Sequence, residues 1–213
     1  MRILLFGPQG AGKGTIGAMM VDKYGIPLIG TGQMLRDAIK EETELGKTAK
    51  GYMDKGNLVP AELVAGIVNE RVQKENKGYI LDGFPRNLEQ AEMFDQMDDV
   101  DYIIVFEVPK DMSLYRLSGR RTCKECGAVY NVNPDGFPHP KEEGRCDKCG
   151  GELIQRDDDK PEAIEQRLKT YQRETKPILE RYKHKVFTLD ATLPVDQIFE
   201  KTTEIIDKKE ARK

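Results

Sequence analysis

The first residues that could do chemistry lie near the start of the chain, in the segment GPQGAGKGT from Gly7 to Thr15. Backbone N–H groups in a glycine-rich turn can close around phosphate oxygens because no Cβ stands in the way. A helix that follows would point its positive end at the same phosphate, and Lys13 would add a charge for the terminal phosphates. The segment therefore predicts a binding site for the phosphates of a nucleotide.

The surroundings of this segment strengthen the prediction. An apolar strand, Ile3 to Phe6, precedes it, and apolar residues recur at helical spacing from Ile16 to Tyr24, where Gly25 suits a helix end. A strand, a glycine-rich turn and a helix form the context that this motif requires. Thr15 stands two positions after Lys13 and supplies the hydroxyl available to Mg²⁺.

The cysteines form a second chemical pattern. All four lie in two CxxC pairs with nineteen residues between them, Cys123 and Cys126, then Cys146 and Cys149. This spacing is typical of four thiolates around one tetrahedral Zn²⁺, and four sulfur ligands leave no open position, so the metal would be structural. Disulfides are the alternative, and His139 could compete as a ligand, but a solvated loop histidine is the preferred explanation for it.

Acidic and basic residues elsewhere suit phosphate chemistry. Asp82 follows an apolar strand directly, where open α/β sheets place ligand-binding groups, and it could hold Mg²⁺ or its waters. Guanidinium groups bind phosphate oxygens in pairs and stabilise charge on a transferring phosphoryl group. Six arginines are candidates for that role: Arg36, Arg86, Arg116, Arg120, Arg156 and Arg167.

The elements that must position these groups alternate between strand and helix. Continuous apolar runs predict strands of a parallel sheet that is buried on both faces and covered by helices. The predicted strands are Ile3 to Phe6, Pro27 to Ile29, Tyr79 to Leu81, Tyr102 to Val108 and Val186 to Leu189.

Two segments interrupt this alternation and predict a domain division. Residues 30–59 are polar and helical, and residues 121–159 contain the cysteines and many turns; the core would then comprise residues 1–29, 60–120 and 160–213. A segment of about forty residues buries too little apolar surface to keep its shape unaided. Zinc would therefore act as a staple for the second insert.

Composition narrows the possible functions. The 213 residues carry a net charge of −3, which gives no broad electropositive face for nucleic acid. No stretch approaches the roughly 20 apolar residues needed to span a bilayer, and the N-terminus leads into a strand without a leader cleavage site. We therefore expect a cytoplasmic protein that binds neither nucleic acid nor membrane.

Motifs along nearly the whole chain resemble those of the adenylate kinases with a long, zinc-bearing lid. They occur in that family's order: GPQGAGKGT, TGQMLR from Thr31, GNLVP from Gly56, DGFPR from Asp82, LSGRRTCKEC from Leu117, AVY from Ala128 and QRDDD from Gln155. The resemblance implies an α/β P-loop nucleotide kinase fold, with a parallel sheet covered by helices on both faces, a small helical AMP-binding insert and a zinc-stapled lid.

The same resemblance implies an activity: reversible transfer of the γ-phosphoryl group from MgATP to AMP, giving two ADP. Mg²⁺ would accompany ATP, Zn²⁺ would be structural, and the partners would be ATP, AMP and ADP bound to a monomer. Because AMP phosphate is already largely ionised at neutral pH, no general base is needed. The enzyme would accelerate the transfer by aligning the donor and acceptor phosphates and by neutralising their charge.

Residue roles follow from matching motif positions. The implied catalytic residues are Lys13, Arg86, Arg120, Arg156, Asp158 and Arg167, with Asp158 tying down the closed lid. ATP would contact Gly10, Ala11, Gly12, Lys13, Gly14, Thr15, Arg116, Arg120, Val129 and Tyr130, with Arg116 on its adenine. AMP would contact Thr31, Arg36, Asn57, Leu58, Val59, Gly83, Phe84, Pro85, Arg86, Gln90, Arg156 and Arg167. Magnesium would be held through water by Asp82 and Thr15, and zinc by Cys123, Cys126, Cys146 and Cys149.

Some positions depart from the family pattern or leave alternatives open. Gln33 stands where the family usually has Asp, while Gln9 and Ile16 replace the frequent Pro and Gln. Gln90 favours adenine as the acceptor base, since pyrimidine-specific relatives typically carry Asn there and have a short lid without metal. Three alternatives remain. Two are enzymes: a kinase for UMP or CMP, and an AMP kinase that uses GTP as the donor. The third is a nucleotide-gated binding module that contacts nucleic acid through its two CxxC pairs.

Overall fold

The computed structural model describes residues 1–211, so the last two residues of the predicted core lie outside the described part. Eight strands form two sheets: β1 Arg2–Phe6, β2 Leu28–Gly30, β3 Tyr79–Asp82, β4 Tyr102–Glu107, β5 Arg120–Cys123, β6 Val129–Asn131, β7 Leu153–Ile154 and β8 Val186–Asp190. The larger sheet is parallel throughout and has the order β2-β3-β1-β4-β8. The five predicted core strands are confirmed, with ends that differ by one residue.

Helices lie between the strands and after the last of them. They are α1 Lys13–Tyr24, α2 Thr31–Lys40, α3 Glu44–Met53, α4 Ala61–Val72, α5 Leu88–Met97, α6 Lys110–Ser118, α7 Pro161–Thr170 and α8 Val195–Glu210. A π-helical turn, Tyr171–Thr175, continues α7. No helix within residues 1–211 is both long and apolar enough to span a bilayer.

The larger sheet is buried on both faces, as the apolar runs predict. Side chains of β1 point alternately to the two sides: Ile3 and Leu5 join one apolar cluster, and Leu4 and Phe6 join the other. Helices α1 and α8 supply the first cluster, and α4 and α5 supply the second. Burying a side chain of this size contributes about 1.5 to 3 kcal/mol, so the two layers fix the position of every strand end.

Helices α2 and α3 fill the segment predicted as a helical insert. They cross closely at Gly46, where a Cβ would lie 2.0 Å from the Ala38 carbonyl oxygen, so only glycine fits. The Thr43 hydroxyl accepts a hydrogen bond from the Gly46 N–H at 3.0 Å and caps α3. The residues Thr43 and Gly46 thus fix how the start of α3 packs against α2.

The smaller sheet is antiparallel, has the order β6-β5-β7, and lies in the cysteine-containing segment. Its buried apolar cluster consists of Cys123, Tyr130, Cys146 and Leu153. So small a core contributes little hydrophobic stabilisation, which agrees with the prediction that this segment needs a metal.

Candidate active site

The turn between β1 and α1 has the backbone that a phosphate cradle requires. Gly7, Gly10 and Gly12 all have positive φ angles, of 142°, 81° and 86°. A Cβ on Gly10 would lie 2.9 Å from the Ser113 carbonyl oxygen, so a larger residue would push α6 away. Gly12 is the N-cap of α1, and its conformation turns the free N–H groups of the first helical turn toward the loop.

Lys13 lies at the centre of this turn. Its ammonium donates to the carbonyl oxygens of Gly7 at 2.7 Å and Pro8 at 2.9 Å. Burial lowers the pKa of Lys13 to about 8, and the nearby Asp82 carboxylate opposes that shift. The positive charges of Arg86, Arg167 and Arg120 contribute to the same lowering of the Lys13 pKa. A phosphate group would relieve this repulsion.

Asp82 is the last residue of β3 and pairs in register with Leu5 of the neighbouring β1. Parallel strands place their carboxyl ends at one edge, so Asp82 and the phosphate loop lie side by side. Thr15 lies in the first turn of α1. A carboxylate and a hydroxyl next to a phosphate cradle are oxygen groups of the kind that Mg²⁺ or its waters prefer.

Two arginines and two aspartates form a buried ionic cluster. Arg120 donates through Nε to Asp159 Oδ2 at 2.7 Å and through its second nitrogen to Asp159 Oδ1. Arg167 donates to the Asp158 carbonyl oxygen at 2.8 Å and lies 3.0 Å from Asp158 Oδ2 and 3.2 Å from Asp159 Oδ1. The side chain of Asp159 has an exposure of 0%. Sequence reasoning selected Asp158 but missed Asp159.

The other arginines are less fully paired. Arg156 donates from Nε to the Thr122 hydroxyl at 2.7 Å, and burial together with neighbouring Arg120 and Arg36 holds its pKa well below the usual value. Burial also lowers the pKa of Arg36, whose Nε is buried without a partner among the described residues. A buried guanidinium with a free donor fits an anionic ligand.

A pocket opens between the phosphate loop, α2, α7 and the π-helical turn. It is lined by Gln9, Thr31, Gly32, Leu35, Arg36, Met53, Gly56, Asn57, Leu58, Val59, Val64, Gly83, Arg86, Gln90, Asp158, Arg167, Thr170, Tyr171 and Thr175. Most residues predicted to contact AMP are therefore brought together. Phe84 and Pro85 are buried nearby without lining the pocket, and Phe84 instead packs edge-on against Phe94 at 6.2 Å.

Three hydrogen bonds fix Arg86. Its backbone N–H donates to Gln90 Oε1 at 2.8 Å, its Nε donates to the Gly83 carbonyl oxygen at 2.8 Å, and its own carbonyl accepts from the Thr175 hydroxyl at 2.7 Å. Gln90 Oε1 accepts from Arg86, and within residues 1–211 the Nε2 group of the same amide makes no hydrogen bond, so it is the end left to donate to a ligand. Arg86 is thus held from both sides, by α5 and by the π-helical turn.

Gly83 allows this arrangement. Its φ of 88° is left-handed, and a Cβ there would lie 2.7 Å from both the Thr31 hydroxyl and an Arg86 nitrogen. Thr31 donates to the Gly83 carbonyl oxygen at 2.8 Å. The start of α2 is therefore tied to the end of β3, which places one wall of the pocket against the sheet.

Three residues predicted to contact ATP, with Arg116 on its adenine, lie apart from this pocket. Arg116 donates to the Ala191 carbonyl oxygen at 2.9 Å, beside the end of β8. Val129 is exposed on β6. Tyr130 is buried in the opposite direction: its hydroxyl accepts from the Asp147 N–H at 2.9 Å and lies 3.5 Å from Cys146 Sγ. Its side chain thus serves the cysteine cluster, which leaves only its backbone for a nucleotide.

The four cysteines converge, as their spacing predicts. Their sulfur atoms all lie within 4.8 Å of one another, with 3.5 Å between Cys123 and Cys149 and 3.6 Å between Cys126 and Cys146. A disulfide requires about 2.05 Å, whereas tetrahedral zinc with bonds of about 2.3 Å separates its sulfurs by about 3.8 Å. The cluster found among residues 1–211 contains no histidine, so the alternative ligand His139 is excluded from it.

The segments predicted as inserts, residues 30–59 and 121–159, are in contact, and the first of them also contacts α7. Lys40 of α2 donates to the Lys124 carbonyl oxygen, in the first cysteine knuckle, at 3.3 Å. On the other side of the pocket, Gln166 of α7 donates to Asn57 Oδ1 at 3.4 Å. These two hydrogen bonds join α2 to the first CxxC pair and α7 to the segment that follows α3.

Several residues in or near the pocket were not predicted from the sequence. Thr170, Tyr171 and Thr175 belong to α7 and the π-helical turn, and Thr122 supports Arg156 from β5. No motif marks them, because they matter through contacts with residues distant in sequence. Asp159 had a visible signal, the run of three aspartates, but the run does not reveal which one is buried.

Comparison with known proteins agrees with this geometry. A family model described as adenylate kinase matches residues 5–187. Curated relatives named adenylate kinase include those of Archaeoglobus fulgidus, 46% identical over 98% of this chain and 99% of the relative, and Syntrophobacter fumaroxidans, 49% identical over 97% and 100%. That of Thermodesulfovibrio yellowstonii is 48% identical over 98% and 100%. With a phosphate cradle, a guanidinium-lined pocket and matches along nearly its whole length, the chain belongs to the adenylate kinase family.

Proposed function

We propose that the protein transfers the γ-phosphoryl group of MgATP reversibly to AMP, forming two molecules of ADP. The observation that carries this proposal is the convergence of Lys13 and several buried guanidinium groups between a phosphate cradle and a separate pocket. Two phosphate-bearing molecules can meet end to end at that point. A protein that only hydrolysed a nucleotide would have no use for the second pocket.

On the donor side, the loop amides from Gly10 to Thr15 and the Lys13 ammonium hold the ATP phosphates. Arg116 lies against the donor base together with Val129 and the backbone of Tyr130. Asp82 and Thr15 would hold Mg²⁺ through water, and the ion would neutralise charge on the donor phosphates.

On the acceptor side, Arg36 and Arg86 bind the AMP phosphate. The unpartnered Arg36 Nε and the fixed position of Arg86 support this assignment. Thr31, Val59 and the free Nε2 of Gln90 surround the base, where Nε2 can donate to a ring nitrogen of adenine. This arrangement favours adenine over a pyrimidine.

Transfer itself needs no general base, because the attacking phosphate oxygen is already ionised. Arg120, Arg156 and Arg167 line the path of the phosphoryl group and stabilise its spread charge. Asp158 and Asp159 hold two of these guanidinium groups in place before substrate arrives. Preorganised charges of this kind cost no reorganisation during the reaction.

We also propose that residues 30–59 and 121–159 act as separate covers over the core formed by residues 1–29, 60–120 and 160–213. Closure by both inserts excludes water, which would otherwise accept the phosphoryl group. A structural Zn²⁺ on the four cysteines keeps the second cover in shape. Four unpaired thiols suit a reducing compartment, so we place the protein in the cytoplasm, as a monomer that binds nucleotides and neither nucleic acid nor membrane.

The direct test is to incubate the purified protein with MgATP and AMP and to separate the nucleotides by chromatography. We expect two ADP formed per AMP consumed, and no ADP without AMP. Parallel reactions with UMP, CMP and GTP test acceptor and donor choice, and sedimentation tests the monomer. ADP that accumulates equally well without AMP would falsify the kinase assignment.

A further inference from the structure

Gln9 is a polar residue in the phosphate loop that no assigned role uses. It lies between Pro8 and Gly10, and its side chain lines the acceptor pocket together with Arg36, Arg86 and Arg167. Its Oε1 atom is buried and has no hydrogen-bond partner among the described residues. A buried amide oxygen without a partner is costly, so such a side chain in a ligand pocket points to a contact with the ligand.

The amide can turn either end toward a ligand. Its terminal torsion is broadly two-fold, and because no protein group holds the oxygen, exchanging oxygen and nitrogen costs little. The neighbours decide which end matters: Arg36 and Arg86 project into the same pocket and bind anions, and an anion accepts hydrogen bonds. The Nε2 group is the end that can donate to such a ligand.

We propose that Gln9 is a substrate-positioning residue that donates a hydrogen bond from Nε2 to the phosphate of the acceptor nucleotide. The proposal rests on the proposed function and deepens it. Gln9 belongs to the loop that holds the donor phosphates, so one short segment would fix donor and acceptor relative to each other. Because the amide is neutral, Gln9 can orient the phosphate through a hydrogen bond without adding to the repulsion among the neighbouring arginines.

The test compares Gln9→Leu, which keeps the approximate size but removes the amide, with Gln9→Glu, which keeps the shape but adds a negative charge. Gln96→Leu, an exposed glutamine on α5, serves as the matched control. Calorimetry measures the binding of AMP and of ATP to each protein separately, and steady-state assays give KM for both.

We expect Gln9→Leu to weaken AMP binding roughly tenfold or more while ATP binding stays within about twofold, as for loss of one hydrogen bond to a charged group. Gln9→Glu should weaken AMP binding further, because its carboxylate repels the phosphate. The Gln96→Leu protein should match the parent in both affinities and in melting temperature.

Three results would overturn the proposal. Unchanged AMP binding in Gln9→Leu would show that the amide makes no such contact. Equal loss of AMP and ATP binding would assign the effect to loop shape. Normal AMP binding in Gln9→Glu with a lower Mg²⁺ requirement would assign Gln9 to magnesium-bound water. Failure of the kinase assignment is distinguishable, since the parent protein would then form no AMP-dependent ADP.

Discussion

The buried carboxylate of Asp159 offers the sharpest test of how the phosphate-binding arginines are held. It accepts two hydrogen bonds from Arg120 and one from Arg167, and its side chain has no solvent exposure. Asp159→Asn removes the charge and keeps the shape. Arg120 then loses the carboxylate that it is paired with, while Arg167 keeps Asp158, and breaking a buried ion pair from one side costs about 3 to 5 kcal/mol.

We expect the lower end of that range, about 3 kcal/mol, because asparagine still accepts a hydrogen bond and Asp158 still contacts Arg167. For a chain of this length, each kcal/mol lowers the melting temperature by about 2 to 4 °C, so the expected fall is about 6 to 12 °C. Adding ADP should reduce the deficit by at least about 1.5 kcal/mol, since its phosphates replace the missing charge.

The matched control is Asp157→Asn, at the start of the short 3₁₀ helix Asp157–Asp159 that Asp159 ends. Asp157 is exposed and pairs with Lys160 at 3.4 Å, an interaction at the surface that is worth about 1 kcal/mol or less. Chemical denaturation and thermal melting, each with and without ADP, measure both variants. Equal stability of the two variants, or a deficit in Asp159→Asn that ADP leaves untouched, would refute the reasoning that this carboxylate preorganises the arginines.

Three further substitutions test other parts of the site. Arg86→Ala should reduce kcat/KM for AMP about a hundredfold or more, since it removes charge-assisted hydrogen bonds to the phosphate; a coupled assay that finds less than a tenfold loss contradicts its role. Thr175→Val should raise KM for AMP about fivefold through loss of the 2.7 Å bond to the Arg86 carbonyl, with KM for ATP unchanged; equal changes in both would indicate general damage. Cys126→Ser should lower the melting temperature and the zinc content while keeping turnover in the cold; full loss of cold activity at an unchanged melting temperature would show that the metal does more than hold the lid.

The fold could be predicted from sequence because its signals are local. Each core strand is a short apolar run between turns, and burial on both faces of the sheet makes such runs continuous, as in Tyr102–Glu107. The phosphate loop and the metal site formed by the cysteine pairs could also be predicted from sequence. In both, the functional atoms belong to residues that are close in sequence, so spacing alone constrains their geometry.

Residues whose roles depend on distant partners could not be read in this way. Tyr130 lies within a motif, yet its side chain turns toward Cys146 instead of the donor site. Thr175 supports Arg86 across 89 residues of sequence. Neither contact leaves a local sequence pattern. The Thr175 contact forms where the π-helical turn packs against the segment before α5, and the Tyr130 contact forms where β6 packs against the second cysteine pair.

The sequence by itself determined the alternation of strands and helices, the phosphate cradle, the metal knuckles and the family to which they belong. Only the tertiary structure decided that Asp159 is the carboxylate buried between two arginines, and that the Gln9 amide lies in the acceptor pocket without a partner. The physical reason is that burial and charge pairing depend on the distances between elements, whereas strand patterns and ligand spacing depend on the geometry of a single continuous segment.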